Sequence, residues 1–247
     1  MTQLVLSLFP GGGLLDHAFA LEGFTVVRGP DVLWGGDIRS FSPPAGRFDG
    51  IIGGDPCQSH SVLANLVRAT GFEPVFPDLT PEFERVVNEA RPAWFLRENV
   101  PAAPDIKPDG YDVRSFMLCN SKLDSGDGWG NEQMRKRRFW FGVRDGEAPE
   151  LRKFIKFAVQ DSPDRVQAVG SDPRSVPVAI GSNGMVKATK ADSTTRTLEE
   201  MMELQGMPPD WFKYSPFTMS AKRKICGNGV AIPTGRAIAQ AVKRATE

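Results

Sequence analysis

A doubly wound, mostly parallel α/β sheet with a small irregular insertion is the fold class predicted for this chain, and three observations predict it. The first apolar run leads through a glycine-rich turn into a helical pattern. Short apolar runs then alternate with helical stretches, the arrangement that builds parallel strands joined by crossover helices. The segment Gly53-Gly54-Asp55-Pro56-Cys57-Gln58-Ser59-His60-Ser61 places a cysteine on a Gly/Pro-rich turn directly after the apolar run 48–52. Open α/β sheets keep their reactive groups at such strand ends.

Residues 4–9 read as a buried strand, Phe9-Pro10-Gly11-Gly12-Gly13 as a tight turn, and 14–22 as a helix with Leu14, Leu15, Ala18, Phe19 and Leu21 at helical spacing. Residues 24–28, 50–52 and 93–96 give three further strands, and 81–90 a helix with Pro81 at an early position. Residues 111–120 and 138–143 complete the sheet around a Gly/Asp-rich loop at 124–130, expected to be exposed and mobile. From about 144 to 194 short basic and β-branched runs are broken by Asp161-Ser162-Pro163-Asp164, Ser171-Asp172-Pro173 and Gly181-Ser182-Asn183-Gly184, which predicts an irregular insertion. Thr197-Leu198-Glu199-Glu200 is a capping box that opens a helix closed by Gly206 and Pro208-Pro209. A last amphipathic helix covers 234–242, after the segment 227–233. The chain is therefore expected to divide into a catalytic region at 1–143, an insertion at 144–194 and a segment at 195–247 that returns to the first.

The composition narrows the class of protein. The chain has 247 residues and 40% hydrophobic content, enough for one sizeable core. Lysine plus arginine and aspartate plus glutamate are 30 each, so a nucleic-acid partner must be met by a local basic cleft. Cys57, Cys119 and Cys226 are odd in number and far apart, which argues against a disulfide framework or a zinc cluster and fits a reducing cytoplasm. The opening residues lack a basic leader, and their apolar run is too short for a membrane span.

The glycine turn brings backbone N–H groups and the amino end of a helix to one place, a setting that favours an anionic ligand group. Asp31 follows the second strand, where a carboxylate can accept from ribose hydroxyls. Glu98 ends the fourth strand and is expected beside the Cys57 turn at the same sheet edge. Its neighbour Arg97 points to the other face. Gln133, Arg135 and Arg137 alternate along an extended segment and share one side, a polar fork ahead of the apolar Phe139-Trp140-Phe141.

Taken in order, Phe9-Pro10-Gly11-Gly12-Gly13, the Cys57 turn, Glu98-Asn99-Val100, Gln133-Met134-Arg135-Lys136-Arg137 and Gly227-Asn228-Gly229-Val230 resemble the cytosine-C5 DNA methyltransferases. The resemblance covers residues 3–143 and about 196–242. It implies the class I S-adenosylmethionine-dependent methyltransferase fold and that cofactor. Phe9, Gly11, Gly12, Gly13, Asp31, Asp37, Ile38, Pro56, Leu79, Asn228, Gly229 and Val230 are then expected to bind it. Cys57 is expected to add to C6 of a cytosine flipped out of DNA, Glu98 to hold the N3 side, and Arg135 and Arg137 to hold the base O2 and a phosphate. Gln58, Ser59, Asn99 and Gln133 are expected to line the substrate side. No metal is called for, the partner is DNA, double-stranded or single-stranded, and a monomer suffices. His60 reads as a solvent-exposed turn residue.

Two departures carry consequences. The stretch between Asp31 and Asp37 is short and lacks the usual intervening helix, and the target-recognition segment is unusually short. A short segment reads few base edges, which predicts a short or weak target sequence; Arg144, Arg152, Lys153, Lys156, Arg165 and Arg174 are candidates for phosphate contacts. Two other functions stay open on the sequence: methylation of tRNA cytosine, and a catalytically silent DNA-binding protein of the same fold.

Overall fold

The computed structural model describes residues 2–57, 60, 77–124, 126–162, 166–169, 179–180, 186–187 and 196–247. Gln58 and Ser59 lie outside the described residues, as do 61–76 and much of the expected insertion.

Six strands form one sheet: β1 (Leu4–Leu8), β2 (Thr25–Arg28), β3 (Gly50–Gly53), β4 (Trp94–Asn99), β5 (Tyr111–Cys119) and β7 (Lys136–Arg144), in the order β2-β1-β3-β4-β7-β5. The pairings β1–β2, β1–β3 and β3–β4 are parallel, and β7 alone runs against its neighbours β4 and β5. The chain leaves β1 for β2 on one side and reaches β3 on the other, so the first strand marks the topological switch point, where α/β sheets place ligands. The glycine turn and the Cys57 turn both leave the sheet there.

Helices cover both faces. Alternation along the strands sends Val5, Ile52, Leu96, Phe139 and Phe141 to one side, where Phe19 of α1 (Leu14–Leu21) and Ile238 and Val242 of α5 (Ile232–Thr246) complete the core. Leu6, Leu8, Ile51, Phe95 and Trp140 go to the other side, against Phe83, Val86, Val87 and Ala90 of α2 (Thr80–Ala90). A third cluster joins Leu14 and Ala18 to Leu198, Met201 and Met202 of α3 (Leu198–Leu204) and to Ile225 and Cys226 of α4 (Met219–Asn228). The capping box is present at Thr197 and Glu200. Outside the main sheet, β6 (Gln133–Met134) pairs with β8 (Val166–Gln167), and β9 (Ala179–Ile180) with β10 (Val186–Lys187).

Three details differ from the sequence reading. β4 runs to Asn99, one residue past Glu98, so that Asn99 as well as Arg97 and Glu98 is a strand residue with a fixed face. α4 is a helix that sparse apolar spacing concealed; Thr218 caps it through a bond from Ala221 N at 3.3 Å. The 124–130 loop is organised by the Asp124 carboxylate, which accepts from Gly126 N at 2.9 Å and Gly128 N at 2.8 Å and pairs with Lys156. No helix among the described residues is long and apolar enough to cross a membrane.

Candidate active site

At the carboxyl edge of the parallel strands lies a cleft of about 520 Å³. Its walls are the glycine turn and the start of α1, the turn at 31–33, the Cys57 turn, Glu98 to Val100, Arg137, and one face of α4 from Thr218 to Val230. Arg137 reaches this edge only because β7 runs antiparallel, its amino end lying where the neighbouring strand β4 ends.

The nucleophile side rests on close packing. A Cβ at Gly54 would stand 2.7 Å from the Glu98 carbonyl and 2.9 Å from Glu98 Oε2, so only glycine lets the Cys57 turn lie directly on Glu98. Glu98 Oε1 meets Arg137 Nε at 3.0 Å. Burial pushes the Glu98 carboxyl above the usual range, against the lowering influence of Arg137 and Arg135. Burial likewise pushes the Cys57 thiol up; Arg137 opposes this and Glu98 adds to it. Burial thus pushes both groups toward their protonated forms, and Arg137 opposes it at both.

Beneath this turn is a network that the sequence reading did not anticipate. Arg97 and Asp55 are fully buried and paired at 2.6 Å and 2.9 Å. Thr80 Oγ1 donates to Asp55 Oδ2 at 2.9 Å, and Asn99 Nδ2 donates to the Asp55 carbonyl and Oδ2, each at 3.1 Å. Trp140 lies under the Arg97 guanidinium at 4.6 Å. His60, expected in solvent, is instead largely covered, with Nε2 at 3.0 Å from Asp78 Oδ1 and 3.2 Å from Thr80 Oγ1. The signal was available in part: Asp55 and Arg97 are opposite charges at the ends of adjacent strands.

On the cofactor side, Asp31 accepts from Gly11 N and from Leu33 N, both at 2.8 Å, and Trp34 Nε1 donates to the Gly11 carbonyl at 3.0 Å. Phe9 holds a left-handed backbone at φ 52, costly for a residue with a side chain and typical of a site that fixes its turn. Asp16, not singled out from the sequence, lines the cleft while accepting from Ser7 Oγ at 2.5 Å and Arg28 Nε at 2.8 Å. Gly12 lies so close to α4 that a Cβ would stand 2.2 Å from Ile225 Cγ2.

Several expected ligands do not line this cleft. Asp37 is exposed and engaged by Arg39 at 2.7 Å, and Ile38 is buried in the core against α2. Leu79 packs against that same core as the residue preceding α2. Gly13 closes the turn and caps α1. Asp31 and Asp37 each cap a separate short helical turn, Val32–Trp34 and Ile38–Ser40, and the second turn directs Asp37 to Arg39 and Ile38 into the core. Gln133 and Arg135 also stay outside its lining, bonded to main-chain groups. Phe9, Gly11, Gly12, Asp31, Pro56, Cys57, Glu98, Asn99, Arg137, Asn228, Gly229 and Val230 do come together around it. Among the basic residues suggested for phosphate contacts, Arg144, Arg152, Lys153 and Lys156 all hold local partners, and Arg165 and Arg174 lie outside the described residues.

A doubly wound sheet with a cysteine turn, a buried carboxyl and an arginine around one cleft defines a methyltransferase-like α/β protein. Residues 34–175 match the family model of the C-5 cytosine-specific DNA methylases, and the chain belongs to that family. Type II methyltransferase M.FnuDI of Fusobacterium nucleatum is 30% identical over 200 residues, 65% of this chain and 56% of that protein. M.NgoPII of Neisseria gonorrhoeae is 29% identical over 171 residues, 57% and 48% of the two chains. The chain thus spans about half the length of these curated relatives. Among solved structures, an E. coli prophage protein described as a DNA modification methyltransferase superposes with TM-score 0.64 at 19% identity, over 99% of both chains. The DNMT2 of Spodoptera frugiperda does so with TM-score 0.60 at 14% identity, over the whole of both. These likenesses show the fold.

Proposed function

We propose that this protein methylates C5 of cytosine in DNA, using S-adenosylmethionine. The observation that carries the reading is the meeting of Cys57, Glu98 and Arg137 on one rim of a cleft whose other wall is the glycine turn. The residues present fit the cofactor. The cleft volume is in the range of small-molecule sites, roughly 300–1,000 Å³. Gly11, with φ +51 and nothing within 4 Å of its Cβ position, leaves backbone open to it, and Asp31 is the residue assigned to the ribose in this reading. When bound, the cofactor supplies an electrophilic methyl group on its sulfonium.

The chain's own residues account for the rest. A cytosine has no acidic hydrogen at C5, so the ring must first gain electrons there. Cys57 gives its thiol proton to solvent water and its sulfur adds to C6, and the pair displaced from the C5–C6 double bond makes C5 nucleophilic. Glu98, whose carboxyl burial pushes toward the protonated form, shares a proton with N3 in this reading and offsets the charge that develops. Arg137 holds Glu98 and is placed to take the base O2. Asn99 fixes the turn through Asp55. After methylation C5 gives up its proton, the Cys57–C6 bond breaks and the thiolate is restored. Reaching the base in a duplex requires flipping it out of the stack.

The test is incubation with tritiated S-adenosylmethionine and unmodified double-stranded DNA, with tRNA in parallel and a Cys57→Ala variant alongside, followed by digestion to nucleosides. Labelled 5-methylcytosine from DNA with the wild type alone is the expected result. Label confined to tRNA, or none although the cofactor binds, overturns the reading.

A further inference from the structure

Arg135 lies between β6 and β7, and its residue is 3% exposed. Its side chain is not part of the cleft lining, and its guanidinium is engaged by carbonyls: Nη1 donates to Val169 O at 2.9 Å, and Nη2 to Gly227 O at 2.8 Å and Gly229 O at 3.0 Å. Two glutamines extend the same bracket. Gln205, fully buried just beyond α3, donates to Cys226 O and, at 3.1 Å, to Gly229 O. Gln133 Nε2 donates to Gln205 Oε1 at 3.0 Å and Leu204 O at 2.5 Å, while its Oε1 accepts from Val169 N at 3.0 Å.

The carbonyls so engaged on α4 belong to its last turn and its cap. A helix leaves its final carbonyls without intrahelical partners, and the macrodipole makes that end negative. A buried guanidinium answers both needs at once. The end of α4 leads directly into the cleft wall. Asn228, Gly229 and Val230 line the cleft, and a Cβ at Gly229 would stand 2.7 Å from Leu14 Cδ2 at the start of α1, which lines the cleft beside it. Where the bracket holds the end of α4 therefore fixes how that end seats against α1 in the cleft wall. Arg137, two residues beyond Arg135, faces Glu98 instead.

We propose that Arg135, together with Gln133 and Gln205, is a positioning residue for the cofactor-side wall and sets the affinity for S-adenosylmethionine, leaving Arg137 alone to serve the base. The inference rests on the function proposed above and divides one motif between two sites: its amino half steadies the wall where the cofactor lies, its last residue the wall where the base reacts.

Isothermal titration of the full chain with S-adenosylmethionine and with S-adenosylhomocysteine, joined to steady-state kinetics on DNA, tests it. Lysine at 135 keeps the charge but cannot span the three carbonyls. Arg135→Lys should weaken both cofactor ligands about tenfold or more, the effect of a lost charge-assisted hydrogen bond in a buried setting, with kcat at saturating cofactor and KM for DNA within about threefold of wild type. Arg137→Met should do the reverse, leaving cofactor affinity in place and lowering kcat. Gln205→Asn, which shortens a neutral donor of the same bracket, carries the same expectation as Arg135→Lys and stands in for it if the lysine variant does not fold. The proposal is overturned if these variants bind the cofactor within about twofold of wild type while kcat falls as in Arg137→Met. Failure of the wild type itself to bind S-adenosylmethionine would instead overturn the function on which the proposal rests.

Discussion

The two walls of the cleft are held in different ways. Under the Cys57 turn, strand is joined to strand by a fully buried ion pair, Asp55 with Arg97, saturated by Thr80, Asn99 and a stacked tryptophan. Across the cleft, the Gly227–Val230 wall is held by Arg135 and Gln205 side chains that donate to main-chain carbonyls rather than to a carboxylate. A buried ion pair is costly to form and costlier to break from one side, since the surviving charge is stranded. The carbonyl bonds come from a charged guanidinium and a neutral amide, and losing one of them strands no carboxylate. The nucleophile's wall thus depends on one ion pair, and the other on several separate bonds.

The largest effect expected from this arrangement separates chemistry from stability. Cys57 lines the cleft but takes no part in the Asp55–Arg97 network. Cys57→Ala should lose turnover on the order of 10⁴-fold or more, as removal of a nucleophile does. Its unfolding free energy should stay within about 1 kcal/mol of wild type. Nucleoside analysis and urea unfolding check the two halves; residual methylation near the wild-type rate would remove Cys57 from the chemistry.

Arg97→Met is the direct break of the nucleophile's wall. It leaves the Asp55 carboxylate buried with only Thr80 and Asn99, and should cost about 3–5 kcal/mol. Adding Asp55→Leu removes the stranded charge and should recover a large part of that loss. Should the double variant be as unstable as the sum of the two single ones, the pair would not be the element that holds this wall.

A smaller effect reads the electrostatics of the same wall. Burial raises the Cys57 thiol and Arg137 opposes the rise. The thiolate is the reactive form, so iodoacetamide labelling of the Cys57 peptide, followed by mass spectrometry, should climb through a pH range above that of a free thiol near about 8.5. Removing the opposing cation in Arg137→Met should move the climb to still higher pH. A shift to lower pH would mean that Arg137 does not act on Cys57. Glu98 follows the linked rule: its raised pKa favours the folded state while the carboxyl is protonated, and that contribution fades as pH rises through the shifted value.

Much of this site was legible in the sequence because its parts sit at strand ends. Cys57 and Glu98 follow apolar runs of strands that lie side by side, and parallel strands bring their carboxyl ends to one edge. Arg137 was legible as part of an alternating segment, although only the antiparallel course of β7 explains how it reaches that edge. What the sequence hid was the destination of polar side chains that bond to the main chain. Arg135 and Gln133 alternate with Arg137 and look equivalent to it, yet their carbonyl partners are 34 to 94 positions away, which no local pattern encodes. α4 was hidden because its buried apolar residues are little more than the adjacent Ile225 and Cys226, with Lys222, Arg223 and Lys224 directly before them. Asp37 and Ile38 misled for a physical reason as well, since Asp37 caps a short helical turn and bonds Arg39 while Ile38 enters the core against α2.

The smallest effect expected probes how the other wall is mounted. Thr197 caps α3 by accepting from Glu200 N at 3.2 Å, while Glu200 accepts in return from Thr197 N at 2.8 Å. Thr197→Ala should cost about 1 kcal/mol in unfolding free energy. The amino end of α3 packs through Leu198 into the third core, but its other end is tied down independently, Gln205 donating to Cys226 and Gly229 and accepting from Gln133. Loosening the capped end should therefore leave the affinity for S-adenosylmethionine within about twofold, since distant sites with separate partners act almost independently. A tenfold loss of cofactor affinity in Thr197→Ala would show instead that α3 transmits its position as a rigid rod, and that the glutamine bracket follows the helix rather than holding the wall by itself.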